Sequence, residues 1–407
     1  MLLKELLCDL SPSEIPQSFQ KFLIKNISSD SRSIEEGSLF VAVKGPTMDG
    51  HEFIQDAIRR GARVIVKNGE RKDLETSDDV YFLSVDHPQE FLSKLLNRFY
   101  SHPVGQITSI GITGTNGKTT ITYLLEAIFS KVGKKCGVIG TVNYRIGQKI
   151  LPAKNTTPGI VDLYRYFDQM RQEGVSYCAM EVSSHALVQQ RVKGIGFHYA
   201  IFSNLTSDHM DYHRSQEDYF QAKALLFTSL SVDARAIINV DDPFGQRLIK
   251  MCPCPVIGYG IQEDAQVSAK NIETTFKGTT FVMRTPQGEM KVKTSLIGVH
   301  NVYNILAAVT VALEEGFALD DIRQAIENFQ SVPGRLEQID EGQDFHVFVD
   351  YAHTEDALKN VMSSLRAVTQ AKIILVFGCG GDRDKTKRAP MGRAASRLAS
   401  WTVLAMD

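Results

Sequence analysis

The ten residues GITGTNGKTT, at Gly111–Thr120, carry the most legible chemistry in this chain of 407 residues. Gly111, Gly114 and Gly117 fall where an apolar strand is expected to turn into a helix, so backbone N–H groups can face phosphate oxygens. Lys118 would set a positive charge against the β- and γ-phosphates of a nucleotide, and Thr119 would offer its hydroxyl to Mg²⁺. The strict GxxxxGK[ST] pattern fails by one residue, because Ile112 stands where its first glycine belongs. The alternative is a merely structural Gly/Thr turn, but Gly-Lys-Thr-Thr directly after an apolar strand favours the phosphate cradle.

Four further residues have types suited to a reaction centre. His209 and His213, in SNLTSDHMDYH, are spaced i, i+4, a helical zinc spacing, although no HExxH accompanies them. Glu181 closes an apolar run, Tyr177–Glu181, where an isolated carboxylate reads as a salt-bridge partner. Lys223, in DYFQAKALLF, reads by itself as a surface residue of an amphipathic helix. The six cysteines form no CxxC pair, and Cys252-Pro-Cys254 reads as loop packing, which suits a reducing compartment.

The elements expected to position these groups form an α/β protein. Residues 1–97 alternate short apolar runs (Ser38–Val43, Arg63–Val66, Val80–Val85) with helical stretches such as Glu52–Arg60, the rhythm of a small α/β domain. Residues 98–332 alternate helices with candidate strands at Gln106–Ile112, Gly137–Ile139, Tyr177–Glu181, Tyr199–Ser203, Ala236–Val240 and Val256–Tyr259, a doubly wound parallel sheet. Gln266–Val292 alternates with period two around Thr285–Gly288, which predicts an antiparallel excursion; a helix over Asn301–Glu315 follows. Val332-Pro333-Gly334-Arg335 reads as a linker into a third domain, 333–407, with strands at His346–Asp350, Lys372–Gly378 and Trp401–Ala405. That domain is expected to be incomplete, since its last strand has no covering helix. The formal net charge of -2 gives no basic field for nucleic acid. No apolar run reaches the length of a membrane span, and MLLKELLCDL is too charged for a secretory signal.

TGTNGKTT in this setting resembles the nucleotide loop of the Mur ligases, and the resemblance extends over essentially the whole chain. SSDSRSIEEGSLFVAVKGPTMDGHEF (Ser28–Phe53) resembles the uridine-nucleotide domain of the MurE and MurF types; NTTP (Asn155–Pro158) and EVSSHALVQQR (Glu181–Arg191) resemble the MurE signature. The resemblance implies a three-domain fold with an incomplete Rossmann-like C-terminal domain. It implies that Gly114, Thr115, Asn116, Gly117, Lys118, Thr119 and Thr120 bind ATP, with Asn301 and Asn304 near the adenine and ribose and with Arg335, Asp350 and His353 closing over the nucleotide. Ser29, Ser31, Asn155, Thr156, Thr157, Ser183, Gln189 and Arg191 would hold the UDP-muramoyl dipeptide. Two Mg²⁺ ions would be held by Thr119, Glu181, His209 and a Lys223 carbamylated by CO₂ to N6-carboxylysine. A carboxylate at the C-terminal end of a strand faces the nucleotide crevice of an open α/β sheet, which agrees with that role for Glu181. GCGGDRDKTKR (Gly378–Arg388) would bring Arg383 to the amino-acid carboxylate. The family's next motif, Asp-Asn-Pro-Arg, would begin at Asp407.

The reaction implied is ATP-dependent addition of meso-diaminopimelate or L-lysine to UDP-N-acetylmuramoyl-L-alanyl-D-glutamate through an acyl phosphate, with Lys118, Lys223, Glu181 and His209 as the catalytic set. Two other readings are a folylpolyglutamate synthase-like ligase, disfavoured by the uridine-type N-terminal domain, and a non-catalytic remnant that binds ATP and the UDP precursor. The expected partners are small molecules only, the expected state a monomer and the expected location the cytoplasm.

Overall fold

The three short apolar runs of the N-terminal region become three of its four parallel strands. In a computed structural model describing residues 1–11, 14–45, 48–69, 79–206, 208, 210, 212–262, 264–379 and 387–405, the four are β1 (Asn26–Ser28), β2 (Ser38–Val41), β3 (Val64–Lys67) and β4 (Tyr81–Ser84), hydrogen-bonded in that order. Every residue of β2 and β3 is buried, as expected for parallel strands covered on both faces. The helix Ile54–Arg59 buries Ile54 and Ala57 against Phe40, Ala42, Ile65 and Val80. The helix Pro88–Phe99 opens on proline, which costs no hydrogen bond at a helix start, and buries Phe91, Leu92, Leu95 and Leu96. This compact unit comprises Met1–Ile107, Pro158–Gly174 and His185–Gly196, and the helix Ile160–Gln172 packs beside Pro88–Phe99 within it.

The second unit holds the remainder of the chain. Its main sheet is built from β5 (Thr108–Thr113), β6 (Cys136–Ile139), β7 (Asn143–Ile146), β8 (Lys149–Pro152), β9 (Tyr177–Glu181), β10 (Tyr199–Phe202), β11 (Arg235–Asn239), β12 (Val256–Gly260), β13 (Val267–Thr275), β14 (Gly278–Thr285) and β15 (Gly288–Thr294). Among the described residues they form one sheet in the order β15-β14-β13-β12-β11-β10-β5-β9-β6-β7-β8, parallel from β13 to β6. The chain leaves β5 toward β9 and β6 on one side and returns to β10 on the other, so β5 ends at the topological switch point where α/β sheets bind ligands.

The predicted antiparallel excursion is a meander, β13–β15, with a register shift between Lys270 and Glu273. A second hairpin, β7–β8, occupies the opposite edge and was not expected. Its outer strand is almost wholly exposed, so no buried face imposes an apolar alternation on the sequence. Gly111 lies within β5 rather than in the turn, and a side chain there would meet the Phe197 ring. The expected C-terminal strands divide: β16 (Glu337–Ile339) pairs antiparallel with β17 (Val347–Val349), and β18 (Ile374–Phe377) pairs parallel with β19 (Trp401–Leu404).

The helices Val299–Glu314 and Glu355–Val368 approach at His300 and Ser364, with Oγ to Nδ1 3.3 Å. Burial alone holds the His300 imidazole down to about 4. An unfolded histidine titrates at about 6.5, so below that pH the unfolded chain binds the extra proton and stability is lost as pH falls toward the folded value. Because the ring is only partly enclosed, wild type should lose about 1–2 kcal/mol between roughly pH 7 and 5 that His300→Gln keeps. Parallel curves of Tm against pH for the two proteins would contradict this.

Candidate functional site

The phosphate loop owes its path to two glycines with positive φ. Gly114 has φ 147° and Gly117 has φ 91°, and side chains there would collide with Ser203 Oγ and Asn304 Oδ1 respectively. The helix Lys118–Lys131 starts directly after Gly117, and its opening N–H groups, lacking internal acceptors, make an anion seat. Lys118 Nζ folds back to donate to Gly114 O and Thr115 O, both at 2.8 Å. Its pKa lies below the usual lysine value because burial outweighs the attraction of Glu181 and Asp208.

Glu181, the last residue of β9, stands beside Ile112 of β5 and is 1% exposed. Its Oε1 accepts from Thr119 Oγ1 (2.9 Å) and Thr141 N (2.9 Å), and its Oε2 accepts from Thr141 Oγ1 (3.0 Å). The sequence signal for Thr141 is that Gly140-Thr141 follows β6 as Gly114-Thr115 follows β5. A Cβ at Gly140 would strike Glu181 Oε1. The precursor-type residues of this unit crowd the same strand ends. Thr157 Oγ1 donates to Glu181 O (2.9 Å) and accepts from Ser183 N (3.1 Å). Thr156 Oγ1 lies 3.1 Å from Thr141 Oγ1, and Asn155 N donates to Tyr144 OH (3.0 Å).

Lys223 departs most from its ordinary reading. The helix Gln216–Thr228 is not amphipathic in place, because it buries Tyr219, Phe220, Ala222, Lys223, Ala224, Leu226 and Phe227. Lys223 is 2% exposed; its Nζ donates to Gly114 O (2.8 Å) and sits 4.4 Å from the Tyr219 ring centroid. Burial, reinforced by Lys118, holds its pKa well below the usual lysine value, with Asp208 opposing. Two lysines thus reach the carbonyl of one loop glycine.

The described residues between β10 and Gln216, His213 among them, are not helical. His213 Nε2 meets Ser184 Oγ at 2.9 Å and its ring packs near Tyr219. His209, Arg383 and Asp407 lie outside the described residues. Asn301 and Asn304 lie inside the helix Val299–Glu314, whose N-cap is Gly298. Asn304 Nδ2 donates to Asn301 Oδ1 (3.0 Å), Asn301 Nδ2 donates to Ile297 O (3.0 Å), and Asn304 Oδ1 faces Gly117.

From the C-terminal region, Arg335 donates through Nη2 to Thr119 Oγ1 (3.1 Å), its guanidinium 4.8 Å from the Tyr351 ring centroid. Asp350 accepts from Leu336 N (2.7 Å) and Ala352 N (2.8 Å), fixing the turn that carries Arg335; burial raises its pKa. His353 Nδ1 donates to Tyr351 O (3.0 Å), and burial lowers its pKa. In the other unit, Arg191 donates to Gln189 Oε1 at 2.9 and 2.6 Å. Ser31 is buried and hydrogen-bonds Asp56, while Ser29 is partly exposed.

Comparison with known proteins gives three consecutive family matches: the Mur ligase family catalytic domain over residues 23–100, the Mur ligase middle domain over 112–312, and the Mur ligase glutamate ligase domain over 334–407. The UDP-N-acetylmuramoyl-L-alanyl-D-glutamate--2,6-diaminopimelate ligase of Bacillus velezensis is 44% identical over 413 aligned residues, covering 100% of this chain and 83% of the relative. The ligase of the same name from Geobacillus thermodenitrificans is 46% identical over 387, covering 94% and 78%. A solved structure of a ligase bearing that name superposes with TM-score 0.75 at 30% identity, covering 97% of this chain and 81% of the other. A Mycobacterium tuberculosis folylpolyglutamate synthase shares the fold at 18% identity, with TM-score 0.63 over 76% of this chain and 77% of its own. These matches give the three-domain α/β architecture to the chain as a whole.

Proposed function

The chain belongs to the Mur ligase family, and we propose that it uses ATP to join meso-diaminopimelate to UDP-N-acetylmuramoyl-L-alanyl-D-glutamate in peptidoglycan synthesis. The observation that carries this reading is the convergence of the phosphate loop, Glu181 and Lys223 at one end of the central sheet. Residues 1–97 would bind the UDP end of the precursor, 98–332 ATP, and 333–407 would close on the nucleotide and the amino acid. ATP and UDP-linked sugars are cytoplasmic metabolites, so the reaction is placed in the cytoplasm, on a monomer.

In this reading the D-Glu γ-carboxylate attacks the γ-phosphorus of ATP, the bond to the leaving ADP oxygen breaks, and an acyl phosphate forms. The amine of the diamino acid then adds to the acyl carbon, loses a proton and expels phosphate. The loop N–H groups and Lys118 hold the phosphates, Lys118 exchanging its two carbonyl partners for phosphate oxygens. Arg335, already on Thr119, adds positive charge, and Asn301, Asn304, Asp350 and His353 serve the nucleoside side. Asn155, Thr156, Thr157, Ser183, Gln189 and Arg191, with Ser29 and Ser31, orient the precursor, and Arg383 and Asp407 the amino acid. Positioning and electrostatics supply most of the acceleration.

Glu181 and Thr119 present hard oxygen donors side by side at the loop, a donor set suited to Mg²⁺. His209 and Lys223 complete the proposed set for two ions. When bound, Mg²⁺ neutralises charge developing on the phosphoryl oxygens. Lys223 is read as an N6-carboxylysine: its neutral amine forms an N–C bond to CO₂ and releases a proton, leaving a carboxylate. Burial against Gly114 and Tyr219 supports this, since an enclosed site keeps the amine uncharged.

Phosphate release from ATP with the UDP-muramoyl dipeptide tests the reading. It should appear with meso-diaminopimelate and stay at background with a folate acceptor. Release with L-lysine alone would reassign the amino acid, and none with either diamino acid would leave a protein that only binds.

A further inference from the structure

The helix Glu355–Val368 has two faces with different tasks. Leu358 and Met362 are buried in a small core with Phe377, Met391, Ala394 and Ala395. Asp356, Asn360 and Ser364, spaced i, i+4, i+8, make a polar stripe on another side. Asp356 Oδ2 accepts three hydrogen bonds: from Asn116 Nδ2 (3.0 Å), Thr206 Oγ1 (3.0 Å) and Asn360 Nδ2 (3.2 Å). Ser364 Oγ donates to Asn360 O (2.7 Å) and continues the stripe to His300.

The three donors to Asp356 come from separate parts of the fold. Asn116 belongs to the phosphate loop. Thr206 follows β10 and is itself tied to that loop, its N–H donating to Thr115 Oγ1 (3.0 Å) and its carbonyl accepting from the same hydroxyl (3.2 Å). Asn360 is on the helix of Asp356. Thr354 caps this helix through Ala357 N (3.2 Å), which fixes Asp356 in the first turn, where the helix dipole favours negative charge.

We propose that Asp356 is a positioning residue that registers the phosphate loop against the C-terminal region and so governs how long the nucleotide stays bound. This rests on the reading of the loop as an ATP site. Neutral amide and hydroxyl donors bind a carboxylate more strongly than a neutral acceptor, so the loop side chain is held firmly while the contact exists. The seam is polar, and polar seams between domains separate readily. Parting at Asp356 frees the loop and the C-terminal region in one event.

The test uses the full chain and a fluorescent N-methylanthraniloyl ATP, following its dissociation by stopped flow. Asp356→Ala should release it about tenfold faster, the loss of one charge-assisted cluster. KM for ATP should rise while KM for the UDP precursor stays fixed. Asp356→Asn should fall between wild type and alanine, because its carboxamide keeps one acceptor oxygen. Thr206→Val should speed release by itself yet add nothing in the Asp356→Ala background, the non-additivity of a shared contact. Dissociation within about twofold of wild type in Asp356→Ala, or additive effects in the double variant, would overturn the proposal. If Asp356→Ala does not fold, unchanged release in both Asp356→Asn and Thr206→Val overturns it. A wild-type chain that binds the fluorescent nucleotide without ligating would refute the ligase reading and leave this one standing.

Discussion

Lys118→Met should reduce ligation by on the order of 10²–10³-fold while the protein keeps its fold, because one preorganised positive charge is removed from where phosphoryl charge develops. The stability half of this expectation follows from the lysine's surroundings. Among the described residues Lys118 Nζ donates to two carbonyls of its own loop, and burial holds its pKa below the ordinary value. The folded chain without nucleotide therefore carries a cation at some cost, and an unbranched apolar side chain of similar length relieves that cost. Tm without nucleotide should hold or rise, and the Tm increase that ATP gives wild type should shrink. Steady-state phosphate release with a thermal melt at increasing ATP checks both halves. A variant that ligates within tenfold of wild type would remove Lys118 from the catalytic set.

Lys223 carries the second large effect. Lys223→Ala and Lys223→Arg should each lose on the order of 10²-fold in ligation, the size expected when a group organising a metal site is removed. Arginine keeps the positive charge but has no neutral amine to take up CO₂, so its failure would separate a carbamate from a plain cation. Wild type stripped of CO₂ should lose activity and regain it with bicarbonate, and ¹³C-labelled bicarbonate should give a carbamate resonance absent from both variants. Because burial holds the Lys223 pKa down, the neutral fraction at a given pH exceeds that of an exposed lysine, and the resonance should persist to lower pH than a surface carbamate would. Full activity in Lys223→Arg, or indifference to CO₂, would refute the assignment.

The sequence displayed these two lysines unequally. Lys118 is legible because a phosphate loop is local: strand, glycine turn, lysine and helix lie within one short segment, and each residue's part follows from backbone geometry. Lys223 is illegible from its helix alone. The pattern around it reads as a solvated face, but the helix Gln216–Thr228 is covered on most sides, and the covering groups come from distant segments, among them Gly114. Glu181 is intermediate. Its place at a strand end could be read, whereas its partners Thr119 and Thr141 follow strands far from it in the chain.

The sequence by itself determined the alternation of strands and helices, the phosphate loop and the polar residues at strand ends, because each depends on side-chain periodicity and on glycine's access to positive φ. Tertiary structure decided which strand ends are neighbours. The crossover that sets β9 and β10 on either side of β5 brings Glu181 and Ser203 to the loop, and helix packing turns Lys223 inward and Asp356 onto Asn116. Those contacts span up to 240 residues of chain, and no local pattern encodes them, since what fixes them is the burial of apolar faces far from the polar groups they align.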